Sequence, residues 1–154
     1  MSYNNDDFTV LKNGVDSRMG IICHSDTGFY NITKGIEMLS RLKGHPLRLT
    51  LNQLLDEEDT KEMIATCKKV THLETILFEV KSGTHQQFMG VYVHQHMYDY
   101  LLWHLCGEYA MKIADRLNNH RAKLNQEREA REKSIRRVAD QLNAKIKQLE
   151  MANQ

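Results

Sequence analysis

Histidine and cysteine side chains are the residues of this sequence that most readily suggest metal chemistry. The 154-residue chain contains eight His and three Cys. Four groupings bring them close together in the sequence: Cys23-His24, Cys67 with His72, His94 with His96, and His104 with Cys106. None has the paired ligand spacing of a zinc finger. Buried cysteines and hydrogen-bonded histidines are the preferred interpretation, and neither a metal site nor a cofactor is predicted.

Carboxylates offer a second kind of chemistry. The run Asp56-Glu57-Glu58-Asp59 would form a nuclease-like metal centre only if its side chains converged on a cavity. Acidic residues are also favoured at the start of a helix by its exposed N–H groups and macrodipole, which is the preferred interpretation. The sequence contains no GxSxG, Walker or dinucleotide-binding motif. No enzymatic activity is predicted, and a metal-dependent nuclease using this run or the histidines is kept as an alternative.

Cationic and amide side chains form two candidate DNA-binding segments. The first lies on and after a predicted helix and contains Lys34, Arg41, Lys43, His45 and Arg48. The second joins two predicted strands and contains Lys81, Thr84, His85, Gln86 and Gln87. Cations contact phosphates, and amide side chains reach either phosphates or base edges. On composition alone, the interpretation that these are ordinary surface residues stays open.

The elements that position these residues are predicted from hydrophobic patterns and turn signals. Two strands, Met19 to Cys23 and Gly28 to Ile32, flank the turn Ser25-Asp26-Thr27-Gly28 and form a hairpin. Thr33 is predicted to cap a helix over Lys34 to Leu42, with Ile36, Met38 and Leu39 facing inward. Shorter helical patterns follow over Leu51 to Leu55 and Lys61 to Val70. Two further strands, Thr75 to Val80 and Phe88 to Val93, are joined by a polar connection that is expected to project as a hairpin tip.

Residues 90–105, GVYVHQHMYDYLLWHL, run from a strand pattern into a helical pattern with no loop residue between them. The apolar residues of the helix cover most of its circumference, so it is expected to be buried on most sides. Trp103 is predicted to lie in the core, with Tyr92 and Leu101 nearby. A break at Cys106-Gly107 separates this helix from a last long one that begins at Glu108.

The C-terminal helix carries a short apolar heptad seam formed by Ile135, Val138, Leu142 and Leu149. The seam predicts a weak homodimer, and a solvated, highly charged helix is the alternative. The two parts of the chain differ in charge. Residues 1–106 contain 10 Lys/Arg and 13 Asp/Glu, a net of −3, whereas residues 107–154 contain 11 and 7, a net of +4.

Three observations bear on the compartment. The sequence has no apolar run approaching the roughly 18 residues of a membrane-spanning helix. Its N-terminus, MSYNNDDFTV, lacks the features of a signal peptide. An odd number of cysteines without CxxC spacing is typical of reduced thiols. An intracellular protein without membrane contact is therefore expected.

Three stretches resemble the KilA-N domain of large DNA viruses and phages. They are Phe29-Tyr30-Asn31-Ile32-Thr33-Lys34, similar to F-N-A-T-K; Gly90-Val91-Tyr92-Val93-His94, similar to G-T-Y-V-H; and the segment from Leu101 to Ile113, similar to the family's tryptophan helix and the helix after it. Cys106-Gly107 stands where Ser-Pro is usual, and no RING cysteines follow. The resemblance covers roughly residues 19–118, between a flexible segment over residues 1–18 and a helical tail over residues 119–154.

The resemblance implies an α+β, winged-helix-like fold related to the APSES domains of fungi. It also implies a viral protein that binds DNA inside an infected host cell, in the cytoplasm or the nucleus. Binding is expected to be directed mainly at phosphates and to be weakly sequence-selective, with the tail as a self-association element. The alternative from a different class is an interaction module with the same fold, which binds a host or viral protein instead of DNA.

Overall fold

The computed structural model describes residues 3–12 and 20–153 and has the α+β fold that the sequence predicts. Five strands form one antiparallel sheet in the order β1-β2-β3-β5-β4: β1 Phe8–Lys12, β2 Gly20–His24, β3 Tyr30–Asn31, β4 Leu77–Val80 and β5 Gly90–Val93. Five helices accompany them: α1 Ile32–Lys43, α2 Leu51–Asp56, α3 Glu58–Thr71, α4 Gln95–Leu105 and α5 Gly107–Ala152. Short 3-10 turns cover Asn5–Asp7 and Gln86–Phe88.

The chain divides into two compact units, Met1–Ala114 and Asp115–Gln154. The first unit contains the sheet, α1 to α4 and the first turns of α5. The second consists of the remainder of α5. The predicted boundary after residue 118 therefore falls inside the second unit.

The predicted hairpin between β2 and β3 is confirmed from residue 20 onward, and Met19 lies outside the described residues. The His24 amide donates to the Phe29 carbonyl, and the Gly28 amide donates to the His24 carbonyl, both at 2.8 Å. Gly28 has φ +73°, a conformation that glycine adopts without steric cost. The turn residues read from the sequence therefore set this hairpin.

The prediction of a flexible segment over residues 1–18 is wrong for residues 3–12. Phe8 is buried, and β1 pairs with β2 from Phe8 opposite His24 to Lys12 opposite Gly20. Asn4 caps the 3-10 turn before the strand by accepting a hydrogen bond from the Asp6 amide at 2.9 Å. Backbone pairing and one aromatic anchor thus order a polar sequence that has little local preference.

Helix α1 begins earlier than predicted because Asn31, and not Thr33, is its N-cap. The Asn31 Oδ1 atom accepts a hydrogen bond from the Lys34 amide at 2.9 Å. The helix ends at Gly44, which adopts the left-handed conformation with φ +74°. Its buried residues are Ile32, Gly35, Met38 and Leu39. Ile36, which was predicted to face inward, is only half-buried.

The joint between β5 and α4 consists of a single residue, His94. Its backbone has φ −54° and ψ 149°, and its Nδ1 atom accepts a hydrogen bond from the His96 amide at 3.1 Å. The histidine thus leaves the strand in an extended conformation and caps the helix with its own side chain. This is how the strand passes into the helix without a loop.

The predicted burial of Trp103 is wrong: its exposed fraction is 53%. Tyr92 and Leu101 are fully buried, as predicted. The buried residues of α4 are Met97, Tyr98, Leu101 and Leu102. One residue further along a helix is a rotation of about 100°, which turns Trp103 away from this face. Its ring instead lies over Gly107, where a Cβ atom would approach it to 3.1 Å.

The first unit packs its core against the sheet. An aromatic cluster contains the buried residues Phe8, Ile22, Phe29, Val80, Phe88 and Tyr92, with Tyr3 and Phe78 packed against it. Helices α1 and α4 bury a second set that includes Met38, Leu39 and Leu101. The Tyr98 ring on α4 meets the Tyr30 ring on β3 at 5.0 Å between centroids and lies over Gly35 on α1. The sheet and both helices are therefore fixed to one another.

Candidate nucleic-acid interface

Two hydrogen bonds connect the start of α1 to the start of β5. The Asn31 Nδ2 atom donates to the Met89 carbonyl at 3.0 Å, and the Val91 amide donates to the Thr33 Oγ1 atom at 2.9 Å. Gly90 lies between them with φ +134°, and a Cβ atom there would come within 2.8 Å of the Thr33 Cβ atom. Asn31 and Thr33 thus lock α1 to the strand that follows the β4–β5 connection. We call this arrangement the α1–β5 joint.

The β4–β5 connection, residues 81–89, carries the second group of candidate DNA-binding residues. Lys81, His85, Gln86 and Gln87 are exposed, and Thr84 is half-buried. Behind them, buried Phe88 anchors the connection to the aromatic cluster. Its carbonyl accepts a hydrogen bond of 2.6 Å from the Tyr92 hydroxyl. The candidate side chains therefore reach solvent from a connection with a fixed base.

The N-terminal residues hold this connection, which was predicted to project as a hairpin tip. The His85 amide donates to the Asn5 Oδ1 atom at 2.8 Å. Gly83 packs so closely on Tyr3 that a Cβ atom there would approach the Tyr3 carbonyl oxygen to 2.7 Å. The Tyr3 ring stacks on Phe78 of β4 with 5.7 Å between centroids. Residues 3–5 therefore hold the connection in place, a contact that the sequence did not predict.

Two of the candidate cations have acidic neighbours. The Lys34 ammonium lies 3.5 Å from Glu37, and its side chain is only 20% exposed. The Lys81 ammonium lies 3.9 Å from Glu79, and both side chains are largely exposed. Exposed pairs of this kind are weak, so solvent or a phosphate competes readily for Lys81. Lys34 is the less accessible of the two cations.

The other cationic candidates lie at and beyond the C-terminal end of α1. Arg41, Lys43, His45 and Arg48 are all exposed. Within residues 3–12 and 20–153, Arg41, Lys43 and Arg48 form no ion pair within 4.0 Å. Cations in the last turn of a helix are also favoured by its macrodipole, which accounts for Arg41 and Lys43 without any ligand.

The structure thus separates the candidates into two groups. Lys34 is next to the α1–β5 joint, close to the base of the β4–β5 connection. Lys43 lies nine residues further along α1, about 13 Å away along the helix axis. A ligand that contacts both groups must be extended, as the backbone of a DNA duplex is.

One cation of this surface was missed by the sequence analysis. Lys112 and Lys43 line the same open cavity of about 270 Å³, whose apolar side is formed by Leu39, Leu42 and Tyr109. Glu108 pairs with Lys112 at 3.2 Å. No sequence signal relates positions 43 and 112, because only the packing of α1 beside α5 brings them together.

His24 is buried among the rings of the aromatic cluster. Its ring centroid lies 5.1 Å from that of Phe78 and 5.9 Å from that of Tyr3. Its Nδ1 atom is hydrogen-bonded to the Thr27 hydroxyl at 2.8 Å. Burial lowers the pKa of His24 from its ordinary value, and the carboxylates of Asp26 and Asp7 oppose the shift in part. The neutral ring is therefore favoured near neutral pH.

The metal-binding alternative finds no centre among the described residues, where no group of three or more His, Cys, Asp or Glu side chains could hold an ion. Glu58 and Asp59 occupy the first turn of α3, and Glu57 is its N-cap. Glu57 lies 3.3 Å from the Nε2 atom of His104. Glu57, Glu58 and Asp59 therefore occupy a helix start, as the preferred interpretation predicts, whereas Asp56 is the last residue of α2.

The second unit exposes the predicted dimerisation residues: Ile135, Val138, Leu142 and Leu149 are between 54% and 70% exposed. The predicted seam missed Ile146, which is 52% exposed. With Ile146 included, the apolar residues repeat at close to 3.6 residues per turn, whereas a strict heptad pattern assumes 3.5 and therefore omits this residue.

Comparisons of the chain with models of known protein families, with curated proteins and with solved structures found no match. Among the described residues, no helix combines the length and the apolar character needed to cross a membrane.

Proposed function

We propose that this chain is a viral DNA-binding protein of the KilA-N type, which binds phosphates with little sequence selectivity and self-associates through its tail. In this proposal, β4, β5 and their connection form the wing of a winged-helix-like domain. The domain acts inside an infected cell. Its phosphate contacts come from Arg41, Lys43 and Arg48, at and beyond the C-terminal end of α1, and from Lys81 on the connection, with Gln86 and Gln87 close to base edges.

The α1–β5 joint is the observation that carries the proposal. The two motifs on which the family resemblance rests lie almost 60 residues apart in the sequence, yet Asn31 and Thr33 of one bond directly to the backbone beside Gly90 of the other. Direct contact between the two stretches supports the resemblance, because a shared fold would bring them together. The joint also holds the wing to α1.

Salt-dependent binding tests the proposal. Each lost phosphate contact reduces the slope of log affinity against log salt by about 0.9 on duplex DNA. Replacing Lys43 and Lys81 together by Ala is therefore expected to weaken binding to every duplex and to flatten the slope by almost two. Fluorescence anisotropy titrations at four salt concentrations measure both quantities.

A matched control separates a specific surface from general electrostatics. Lys61 and Lys68 are exposed on α3 and belong to neither candidate segment. The double variant Lys61→Ala/Lys68→Ala loses the same charge and is expected to keep the parent slope. If the two double variants change affinity and slope equally, or if the first changes neither, the proposed surface is not where DNA binds.

Gln86→Ala tests base contact. If Gln86 reaches a base edge, its loss costs about 1–3 kcal/mol on a preferred sequence and little on others. Because Gln86 is exposed, the melting temperature should stay close to that of the parent. An equal loss on all sequences would instead indicate a phosphate contact.

A protein-binding module is the second candidate, and the charge of the first unit favours it. Residues 1–114 contain 11 Lys/Arg and 14 Asp/Glu, a net of −3, which opposes DNA at long range. The half-exposed Trp103 is a residue type that often anchors protein interfaces. Absence of DNA binding at low salt, with retained fold, would make this function the better one.

A further inference from the structure

Five apolar side chains of the second unit lie exposed on one face of α5. We call them the apolar stripe: Ile135, Val138, Leu142, Ile146 and Leu149, each at least 52% exposed. They succeed one another at steps of 3, 4, 4 and 3 residues, which keeps all five within about a third of the helix circumference. Such a stripe is covered by a partner in most proteins that carry one.

The spacing of the stripe defines the geometry of that partner. Ile135 to Ile146 and Val138 to Leu149 are both eleven residues apart. An 11-residue period is 3.67 residues per turn, close to the 3.6 of a straight helix. The partner is therefore a nearly straight helix that lies along the stripe for about 21 Å.

We infer that this partner is a second copy of the stripe, packed in antiparallel orientation and centred on Leu142. The inference deepens the self-association in the proposed function and rests on it. The stripe is symmetric about its centre, because Ile135 and Leu149 lie seven residues to either side of Leu142, and Val138 and Ile146 lie four. Reversal of one copy therefore places apolar residues opposite apolar residues along the whole length.

Two arginines argue against the parallel orientation. Arg131 and Arg128 continue the stripe toward the N-terminus at steps of 4 and 3 residues, and both are exposed. In a parallel pair in register, each would face its own copy, and like charges at a seam destabilise it. In the antiparallel pair, Arg131 faces Asn153 of the second copy. The arginines of the two copies are then more than about 30 Å apart.

Charges beside the stripe do not decide the orientation. In the antiparallel pair, Glu150 of one copy faces Ser134 of the other, and Glu132 and Arg136 lie two residues to either side of that serine, so repulsion and attraction nearly cancel. In the parallel pair, Lys145 lies beside Glu150, but Glu127 lies beside Glu132 of the second copy, and the balance is similar. The arginines at the seam therefore decide the orientation.

Cysteine cross-linking of the full-length chain tests the orientation. Cys23 and Cys67 are buried, so Cys106→Ser is the only background change that is needed. Chains with Ile135→Cys and chains with Leu149→Cys, one of them carrying a size tag, are mixed and mildly oxidised. We expect the mixed disulfide to exceed the Ile135→Cys self-disulfide at least about tenfold. A dominant self-disulfide would overturn the antiparallel orientation.

Two further variants make every outcome decisive. Leu142→Cys lies at the centre and cross-links to itself in either orientation, whereas Ala144→Cys lies on the opposite face and should not cross-link. Leu142→Cys without cross-links, at concentrations where light scattering detects a dimer, would show pairing elsewhere and overturn the inference. A monomer at all concentrations would overturn it together with self-association, while anisotropy with DNA on the same samples reports the DNA-binding function separately.

Discussion

Gly90 combines a backbone conformation and a close contact that other residues cannot supply together. Its φ is +134°, and an added Cβ atom would lie 2.8 Å from the Thr33 Cβ atom and 2.9 Å from the Asn31 Oδ1 atom. Gly90→Ala is expected to lower the free energy of unfolding by about 2–3 kcal/mol, because strain and displacement of the joint add. Urea unfolding measures the change.

Gly44→Ala is the matched control for that prediction. Gly44 also has a positive φ, +74°, but no atom lies within 4 Å of the position a Cβ atom would take. Gly44→Ala should therefore lower the free energy of unfolding by only about 1 kcal/mol, which is the strain alone. Equal losses in the two variants would show that contact with Asn31 and Thr33 contributes nothing at Gly90.

His24 makes stability depend on pH. Burial lowers its pKa in the folded protein below the ordinary value of 6.5. The unfolded chain therefore binds the proton more readily, and stability is lost as the pH falls from 6.5 toward the folded pKa. His24→Asn, which keeps a polar atom toward Thr27, should give a flatter stability profile between pH 7.5 and 5 in urea unfolding.

The difference between the two profiles isolates His24. Burial also lowers the pKa of His120, and that residue contributes equally to the parent and to the variant. Parallel profiles for the two proteins would show that His24 is not the titrating group.

Trp103 shows the limit of reading burial from residue types. Apolar and aromatic residues cover nearly the whole circumference of α4, so their periodicity could not say which of them face the core. The structure buries Met97, Tyr98, Leu101 and Leu102 and leaves Trp103 half-exposed. The choice depends on where the sheet and the other helices meet α4, which is information outside the helix.

At the scale of elements, the sequence was most informative where the signal is local. The turn Ser25–Gly28 and the glycine after α1 act over a few residues, and the hairpin and the end of α1 agree with the prediction to within about two residues. Strand β1 has no such signal, because Phe8 is its only buried residue. Its order comes from pairing with β2, which residues 3–12 do not encode by themselves.

The contact between the N-terminal residues and the β4–β5 connection gives a prediction at this scale. Asn5→Ala removes the hydrogen bond to the His85 amide. Such a bond contributes about 0.5–1.5 kcal/mol, so hydrogen exchange of the His85 amide should accelerate about three- to tenfold. Exchange within β5 should not change.

Asn52→Ala on α2 is the control, since Asn52 is also exposed and lies far along the chain from the connection. It should leave exchange at His85 as in the parent. If Asn5→Ala behaves in the same way, the N-terminal residues do not hold the connection in solution.

For the whole molecule, charge is divided between the units. Residues 1–114 have a net charge of −3, whereas residues 115–154 contain 10 Lys/Arg and 6 Asp/Glu, a net of +4. The sequence was sufficient to identify this division and the cationic candidates. The sequence could not predict that Lys43 and Lys112 line the same cavity, or that Asn5 bonds to the β4–β5 connection. Each of these contacts joins positions that are distant in the sequence.

Self-association and DNA binding are coupled in the proposed function, since two linked copies on one duplex bind more tightly than one. Leu142→Asp places a charge at the centre of the apolar stripe and should make the protein monomeric in light scattering. Affinity for a duplex long enough for two copies should then fall about tenfold or more, whereas affinity for a duplex that holds one copy should stay unchanged.

Ala144→Asp introduces the same charge on the opposite, exposed face of α5, so electrostatic repulsion from DNA is equal in the two variants. It should keep both the dimer and the preference for long duplexes. If both variants lose the preference equally, the effect is one of charge, and the stripe has no part in DNA binding.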